Sequence, residues 1–253
     1  MAEAGGGGAI DPLHHFELHP IVEINLGGLD LSITQPVLWM IIASGLIFGL
    51  LTFVAATLKR YPKGLQNFVE AIVHFLRKEL VINVIGEDGK GWFPFIATLF
   101  LFISACNLIG LVPGSFTATA NINVTAGLAI LVFFLVHGAG IKKYGFVGYC
   151  KGFVPSGIPA WVLPIMIPIE IIGLIAKPFS LGVRLFANMM AGHMVILVFL
   201  SMIILFKSVV ITPLPLVGVV IMSAFEIFVS LIQAYIFSIL TASYIGDAIH
   251  MKH

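Results

Sequence analysis

The chain has 253 residues, of which 59% are hydrophobic and 10% charged, with a mean hydropathy of +1.09 and a net charge of +1. A soluble domain carries about 25% charged residues to cover its surface, so this composition excludes a soluble globule and makes the bilayer the natural solvent. The small net charge leaves no bulk electrostatic case for nucleic acid, and Cys106 and Cys150 stand in no metal-binding or redox pattern and read as reduced thiols.

The opening MAEAGGGGAIDP has no basic n-region, and no apolar stretch follows it until about residue 36, so it does not read as a cleavable signal. The Gly5–Gly8 run reads as a flexible lead-in. Residues 1–34 are expected to form an extracytoplasmic N-terminal segment and 35–253 a single membrane domain.

A helical span needs about 20 apolar residues. The first candidate covers about 35–58 and stops at the basic cluster Lys59-Arg60-Tyr61-Pro62-Lys63. Residues 65–85 mix apolar positions with Gln66, Glu70, His74, Arg77, Lys78 and Glu79, the pattern of an amphipathic helix lying at the interface. An acidic turn at Gly86-Glu87-Asp88-Gly89 precedes a second span at about 92–112, ended by Pro113-Gly114 and the polar loop SFTATANIN. The third span covers about 124–141 and ends at Lys142-Lys143, with a basic loop running on to Lys151. Two long apolar segments close the chain, at about 160–206 and 210–249, separated by a turn near Lys207–Pro215.

Lysine and arginine set the orientation. None precedes Lys59, and they cluster after the first span, before the second and after the third. Those clusters are expected to be cytoplasmic, which puts the N-terminus outside and the His250–His253 tail inside, with Lys207 as the exception. The expected fold is therefore an all-α membrane protein with five transmembrane helices and one interfacial amphipathic helix. Residues 160–206 would measure roughly 70 Å as one straight helix against a hydrocarbon core of about 30 Å. That segment must be steeply tilted or discontinuous, and Pro164, Pro168 and Pro178 could bend or break it.

Glu170, Lys177, Arg184, His193 and Glu226 all fall inside these last two segments. A charge at mid-bilayer costs at least about 2.5–3.5 kcal/mol on insertion scales, so such residues need partners or water and by default mark an ion path. The competing reading is a set of ion pairs that pins helices together. Glu170, Lys177 and Arg184 recur at intervals of seven and Asn188 lies four further on, which sets them on one stripe of a helix. His193 lies on the opposite side. Folding the two segments back about Ser208–Val210 puts Arg184 level with Gln233 and His193 level with Glu226. Two polar half-paths then flank a permanent positive charge. Arginine cannot deprotonate and so cannot relay a proton. At about 4 Å and an effective dielectric of about 20, it attracts a carboxylate by roughly 4 kcal/mol, enough to draw the proton off an approaching acid. No acid of this chain is positioned against Arg184, so its working partner is expected on another subunit.

At these residues the sequence resembles the a subunit of the F-type ATP synthase. The run KPFSLGVRLFANMMAG, from Lys177 through Arg184 and Asn188 to Gly192, is similar to the family's signature around its essential arginine, and Glu170 stands fourteen residues before it. LIQAYIF at 231–237 resembles the last-helix motif and NLIGLVP at 107–113 the second-span motif, within a likeness that runs from about His14 to the C-terminus. The resemblance implies the stator half of a rotary ion motor in a bacterial inner membrane, with no catalytic site, nucleotide site, cofactor or metal of its own. Its partners would be a ring of c subunits, the b subunits of the peripheral stalk and lipid. The two long helices would form a tilted hairpin along the ring. By residue, Arg184 would be the essential charge facing the ring carboxylate, with Asn188 and Gln233 lining its surroundings. His193 and Glu226 would belong to the outer half-channel, and Glu170 and Ser180 to the cytoplasmic one. Lys177 and Asn107 are further candidates, Lys177 either snorkelling or pairing with Glu170. Protons are the expected ion; sodium stays open because the ring carries the ion-binding carboxylate.

Two departures stand out. Some members carry an acid first and a histidine second where this chain has His193 and Glu226, and Gly110 lies where some carry an acid. Other function classes fit less well. A self-contained transporter or channel using Arg184 for anion binding would want helix breaks beside it, for which Gly182 and Gly192 are weak support. A purely structural scaffold would only pair its charges. A membrane hydrolase would need a nucleophile motif that the sequence lacks.

Overall fold

A computed structural model describes residues 32–112, 114–152, 162–206 and 212–250, together with the backbone of short strands before residue 32. Among the described residues, five helices are long and apolar enough to cross a membrane. The two strand pairs are antiparallel: β1 (Pro20–Val22) with β4 (Ile33–Thr34), and β2 (Asn25–Leu26) with β3 (Leu29–Asp30). The glycine run, Pro113, Lys207, the Ser208–Val210 turn and residues 251–253 of the tail fall outside the described residues.

Helix α1 (Gln35–Ala56) is apolar all round and packs along one side only, on α3 (Phe93–Gly110), burying Ala43 and Val54. Helix α2 (Leu65–Phe75) is the amphipathic element and runs on as a π-helical segment, Leu76–Ile82. Leu76, Leu80 and Val81 are fully buried there, at the spacing that one wide turn brings to one side. They seat this element against α3 (Phe93–Gly110) and α6 (Pro213–Ile249). The acidic turn opens on Gly86 at φ 91°, a left-handed conformation that favours glycine, and continues as a 3-10 turn over Glu87–Trp92.

Helix α4 differs from expectation. It covers Ile122–Gly152, so the basic stretch after Ile141 is helical, with a break only at Gly145 (φ 72°, ψ 165°). Lys142 and Lys143 stay exposed on this extension, where long cationic stems can reach the headgroups. The left-handed glycine turns the chain so that Tyr149 returns over Gly140, where a β-carbon would stand only 2.0 Å from the tyrosine ring. The Tyr149 hydroxyl lies 2.7 Å from His137 Nδ1 and closes the fold-back.

Helix α5 (Leu163–Phe206) is unbroken over 44 residues despite Pro168 and Pro178. At 1.5 Å per residue it is about 66 Å long, twice the hydrocarbon thickness, so it lies tilted. It packs antiparallel on α6, as the Asn188–Gln233, His193–Glu226 and Phe199–Gly218 contacts require. Gly182 brings α5 close to α4: a β-carbon there would meet Thr125 O and Ala129 Cβ at 3.1 Å. Gly182→Leu should therefore force the two helices apart, at a cost of about 1–3 kcal/mol. A lower thermal unfolding midpoint in detergent is expected for it, with none for Gly127→Leu, since nothing lies within 4 Å of Gly127. The core gathers α3, α4 and the C-terminal half of α6, where Phe237, Ala242 and Ile245 are fully buried. The outward faces of α5 and of the N-terminal half of α6 carry exposed isoleucine, valine, leucine and phenylalanine, as lipid- or partner-facing helices do.

Candidate functional site

Leu181, Gly182, Leu185 and Met189 form the buried stripe of α5 at helical spacing, and this sets where the neighbouring polar residues point. Arg184 falls off the stripe and is exposed. It makes no hydrogen bond or ion pair among the described residues. One turn on, Asn188 Nδ2 donates to Gln233 Oε1 at 2.8 Å, with Gln233 only 1% exposed on α6. Gln233 thus meets Asn188 rather than Arg184, a shift of one turn from the simple fold-back. The physical reason is azimuth: Arg184 is exposed and lies off the buried stripe, so it faces away from Gln233.

Above this level His193 and Glu226 touch. His193 Nδ1 lies 2.5 Å from Glu226 Oε1, and the glutamate side chain is 3% exposed. Gly192 makes room for the carboxylate, because a β-carbon there would meet Glu226 Oε1 at 2.8 Å. The imidazole Nε2 faces the Gly110 carbonyl at 3.0 Å and the Thr117 hydroxyl at 2.7 Å. Beside them the Thr119 hydroxyl donates to Asn107 Oδ1 at 2.5 Å, and Asn107 Nδ2 donates to Ser230 O at 3.3 Å. Asn107, Thr119 and Ser230 are fully buried. Glu226 Oε2 and Gln233 Nε2 are buried without a protein partner among the described residues. Buried polar atoms normally find one, so each can still bind water, and the Glu226 oxygen can also take a proton. Thr117, His193 and Glu226 thus stand at hydrogen-bond distance in sequence, and Ser230 and Gln233 follow about a turn apart along α6, setting a line of polar groups in a largely apolar bundle.

A second polar region lies on the other side of Arg184. Glu170 and Lys177 line a cavity of about 200 Å³ between α4, α5 and α6, with His137, Tyr149, Tyr244 and Asp247. Lys177 Nζ stands 5.4 Å above the Tyr244 ring, a cation–π distance, and forms no ion pair with Glu170. Ser180 is exposed on α5 and lies in neither polar region.

The sequence reading missed several of these residues. His137 is a lone imidazole inside an apolar span, which by itself flags a functional position. Thr117 and Thr119 alternate in a loop whose polarity gives no hint of burial. Tyr244 and Asp247 continue the Glu226–Gln233 face of α6 only loosely, and nothing short of the packing would have found them.

Comparisons with known proteins agree on one family. The profile described as ATP synthase A chain matches residues 37–246. The chain is 43% identical to ATP synthase subunit a of Magnetococcus marinus, over 99% of this chain and 97% of that one. It is 40% identical to ATP synthase subunit a of Parvibaculum lavamentivorans, covering 99% and 98%. It is also 40% identical to ATP synthase subunit a of Chloroherpeton thalassium, covering 96% and 78%.

Proposed function

Since the chain belongs to the ATP synthase subunit a family, we propose that it is the proton-conducting stator of the membrane motor, carrying two half-channels separated by Arg184. The observation that carries this reading is the placement of polar groups on the hairpin. One set, Thr117, His193, Glu226, Asn107, Ser230 and Gln233, lies on one side of Arg184. The other, Glu170, Lys177, His137, Tyr149, Tyr244 and Asp247, lies on the other. Arg184 itself is exposed and makes no hydrogen bond or ion pair among the described residues, on the same bare apolar side as the outward face of α5. A charge left so in a membrane costs at least about 2.5 kcal/mol, and it persists where a partner meets it. The partner that fits is a carboxylate on a turning ring of c subunits.

In this reading a proton enters through the His193–Glu226 set and loads a ring carboxylate. It travels round with the ring, then leaves through the Glu170 cavity when Arg184 draws the carboxylate into ionisation. Asn188 and Gln233 line the surroundings of Arg184. The lysine and arginine clusters support a cytoplasmic cavity side and an N-terminus outside. The b subunits would anchor this stator, and residues 35–253 act as one membrane domain. An anion transporter finds less support, because Arg184 sits mid-way along an unbroken helix with no helix N-terminus beside it.

Deleting the chain and restoring it with an affinity tag tests the proposal. Without it, membranes should lose proton-driven ATP synthesis. The tagged chain should restore synthesis and bring the ring down on purification. Full synthesis in its absence would overturn the reading.

A further inference from the structure

We infer that the Thr117 hydroxyl relays protons to His193 and positions its ring in the outer half-path. The inference rests on the reading that His193 and Glu226 lie on that path. For a proton to cross an imidazole, each ring nitrogen must act in turn as donor and acceptor. On the Nδ1 side Glu226 supports both states, since a carboxylate accepts and a carboxylic acid donates; its Oε1 is 2.5 Å away.

The Nε2 side is different. The Gly110 carbonyl at 3.0 Å can only accept. Alone, it would hold Nε2 permanently protonated, because a bare ring nitrogen facing a carbonyl oxygen sets two lone pairs against each other in a dry site. The Thr117 hydroxyl at 2.7 Å is the neighbour of Nε2 that can both accept and donate. With it, the ring can rest either as Nε2–H donating to Gly110 or as bare Nε2 accepting from Thr117. The transfer balances. Thr117 gives its hydroxyl proton to Nε2 and takes one from the loop side, while the Nδ1 proton passes to the Glu226 carboxylate.

Two further observations fit a built arrangement. Thr117 is 3% exposed, at the end of a loop whose neighbour Gly114 is exposed. Gly110 clears its place, because a β-carbon there would stand 2.0 Å from Thr117 Oγ1. Glu226, from α6, is the charged group that meets the ring; α3 and the loop contribute the Gly110 carbonyl and the Thr117 hydroxyl.

The competing reading is that Thr117 only pins the loop to α5. Passive proton flux decides between them, measured through membranes stripped of the soluble ATPase sector, with subunit abundance measured alongside. Thr117→Val keeps the shape and removes the hydroxyl; its flux should fall about tenfold at unchanged abundance. Thr117→Ser, which restores a hydroxyl, should return to within about twofold of the parent. If Thr117→Val conducts normally while His193→Ala does not, the relay is wrong and the half-channel stands. If His193→Ala conducts normally, the half-channel reading itself fails and takes the relay with it. Serine as poor as valine, or abundance falling in step with flux, makes Thr117 structural and overturns the inference.

Discussion

Replacing Arg184 by alanine should abolish ATP synthesis driven by a proton gradient, by about a thousandfold or more, while the subunit stays in the membrane at its normal level. The two halves of that expectation have separate grounds. Arg184 is exposed and makes no hydrogen bond or ion pair among the described residues, so its loss leaves no cavity and no orphaned partner. Its charge opposes insertion if anything. The functional loss follows from the attraction it offers a ring carboxylate, roughly 4 kcal/mol at about 4 Å and an effective dielectric of about 20. Withdrawn from the step that ties proton release to rotation, that energy corresponds to about three decades of coupled rate, while an uncoupled leak between the two polar paths stays open. Arg184→Lys keeps the charge but loses the planar fork, so it should fall between the two. The measurement is ATP synthesis in energised inverted vesicles, normalised to the amount of subunit present. Near-parental synthesis by the alanine variant would remove Arg184 from the mechanism.

The second large effect concerns the His193–Glu226 pair. Glu226→Gln and His193→Ala should each lower passive proton flux by about a hundredfold, the lower end of what a positioned acid or base contributes. At 2.5 Å, with the carboxylate 3% exposed, the two groups share one site. What matters is then that an acid and an imidazole are present, more than which helix carries which. The exchange variant carrying both His193→Glu and Glu226→His should therefore recover at least about tenfold over either single change. Recovery should be incomplete, because the space that Gly192 leaves is fitted to a carboxylate from α6. An exchange variant no better than the singles would mean that geometry outweighs chemistry here. Abundance falling in proportion to flux would make the pair a structural ion pair instead.

Much of the fold was legible because hydrophobic length is a coarse signal that a bilayer reads in the same way. Spans α1, α3, α5 and α6 start and stop within a few residues of their expected limits. The basic loop expected after Lys142 and Lys143 is the difference, since that stretch continues as helix to Gly152, broken only at Gly145. Charges end a span without ending a helix, and the fold-back of Tyr149 onto His137 depends on one glycine torsion that composition does not reveal. Depth along the α5–α6 hairpin was also legible, since a fold-back fixes which residues are level; hence His193 meets Glu226. The azimuth was not. Gln233 joins Asn188 rather than Arg184, and Ser180 faces away from both polar regions, because a helix rotation of part of a turn escapes a depth argument. Small residues were the least legible. Gly110 and Gly192 matter for the space they leave beside Thr117 and Glu226, and only neighbours distant in sequence disclose that.

Whether Arg184 stands as a barrier between two half-channels is measured most directly by comparing passive proton flux with ATP-driven proton pumping in the same Arg184→Ala membranes. The expected result is pumping lost and passive flux kept at or above the parental level, since both polar paths remain and only the charge between them is gone. Normal pumping, or passive flux vanishing together with pumping, would contradict it.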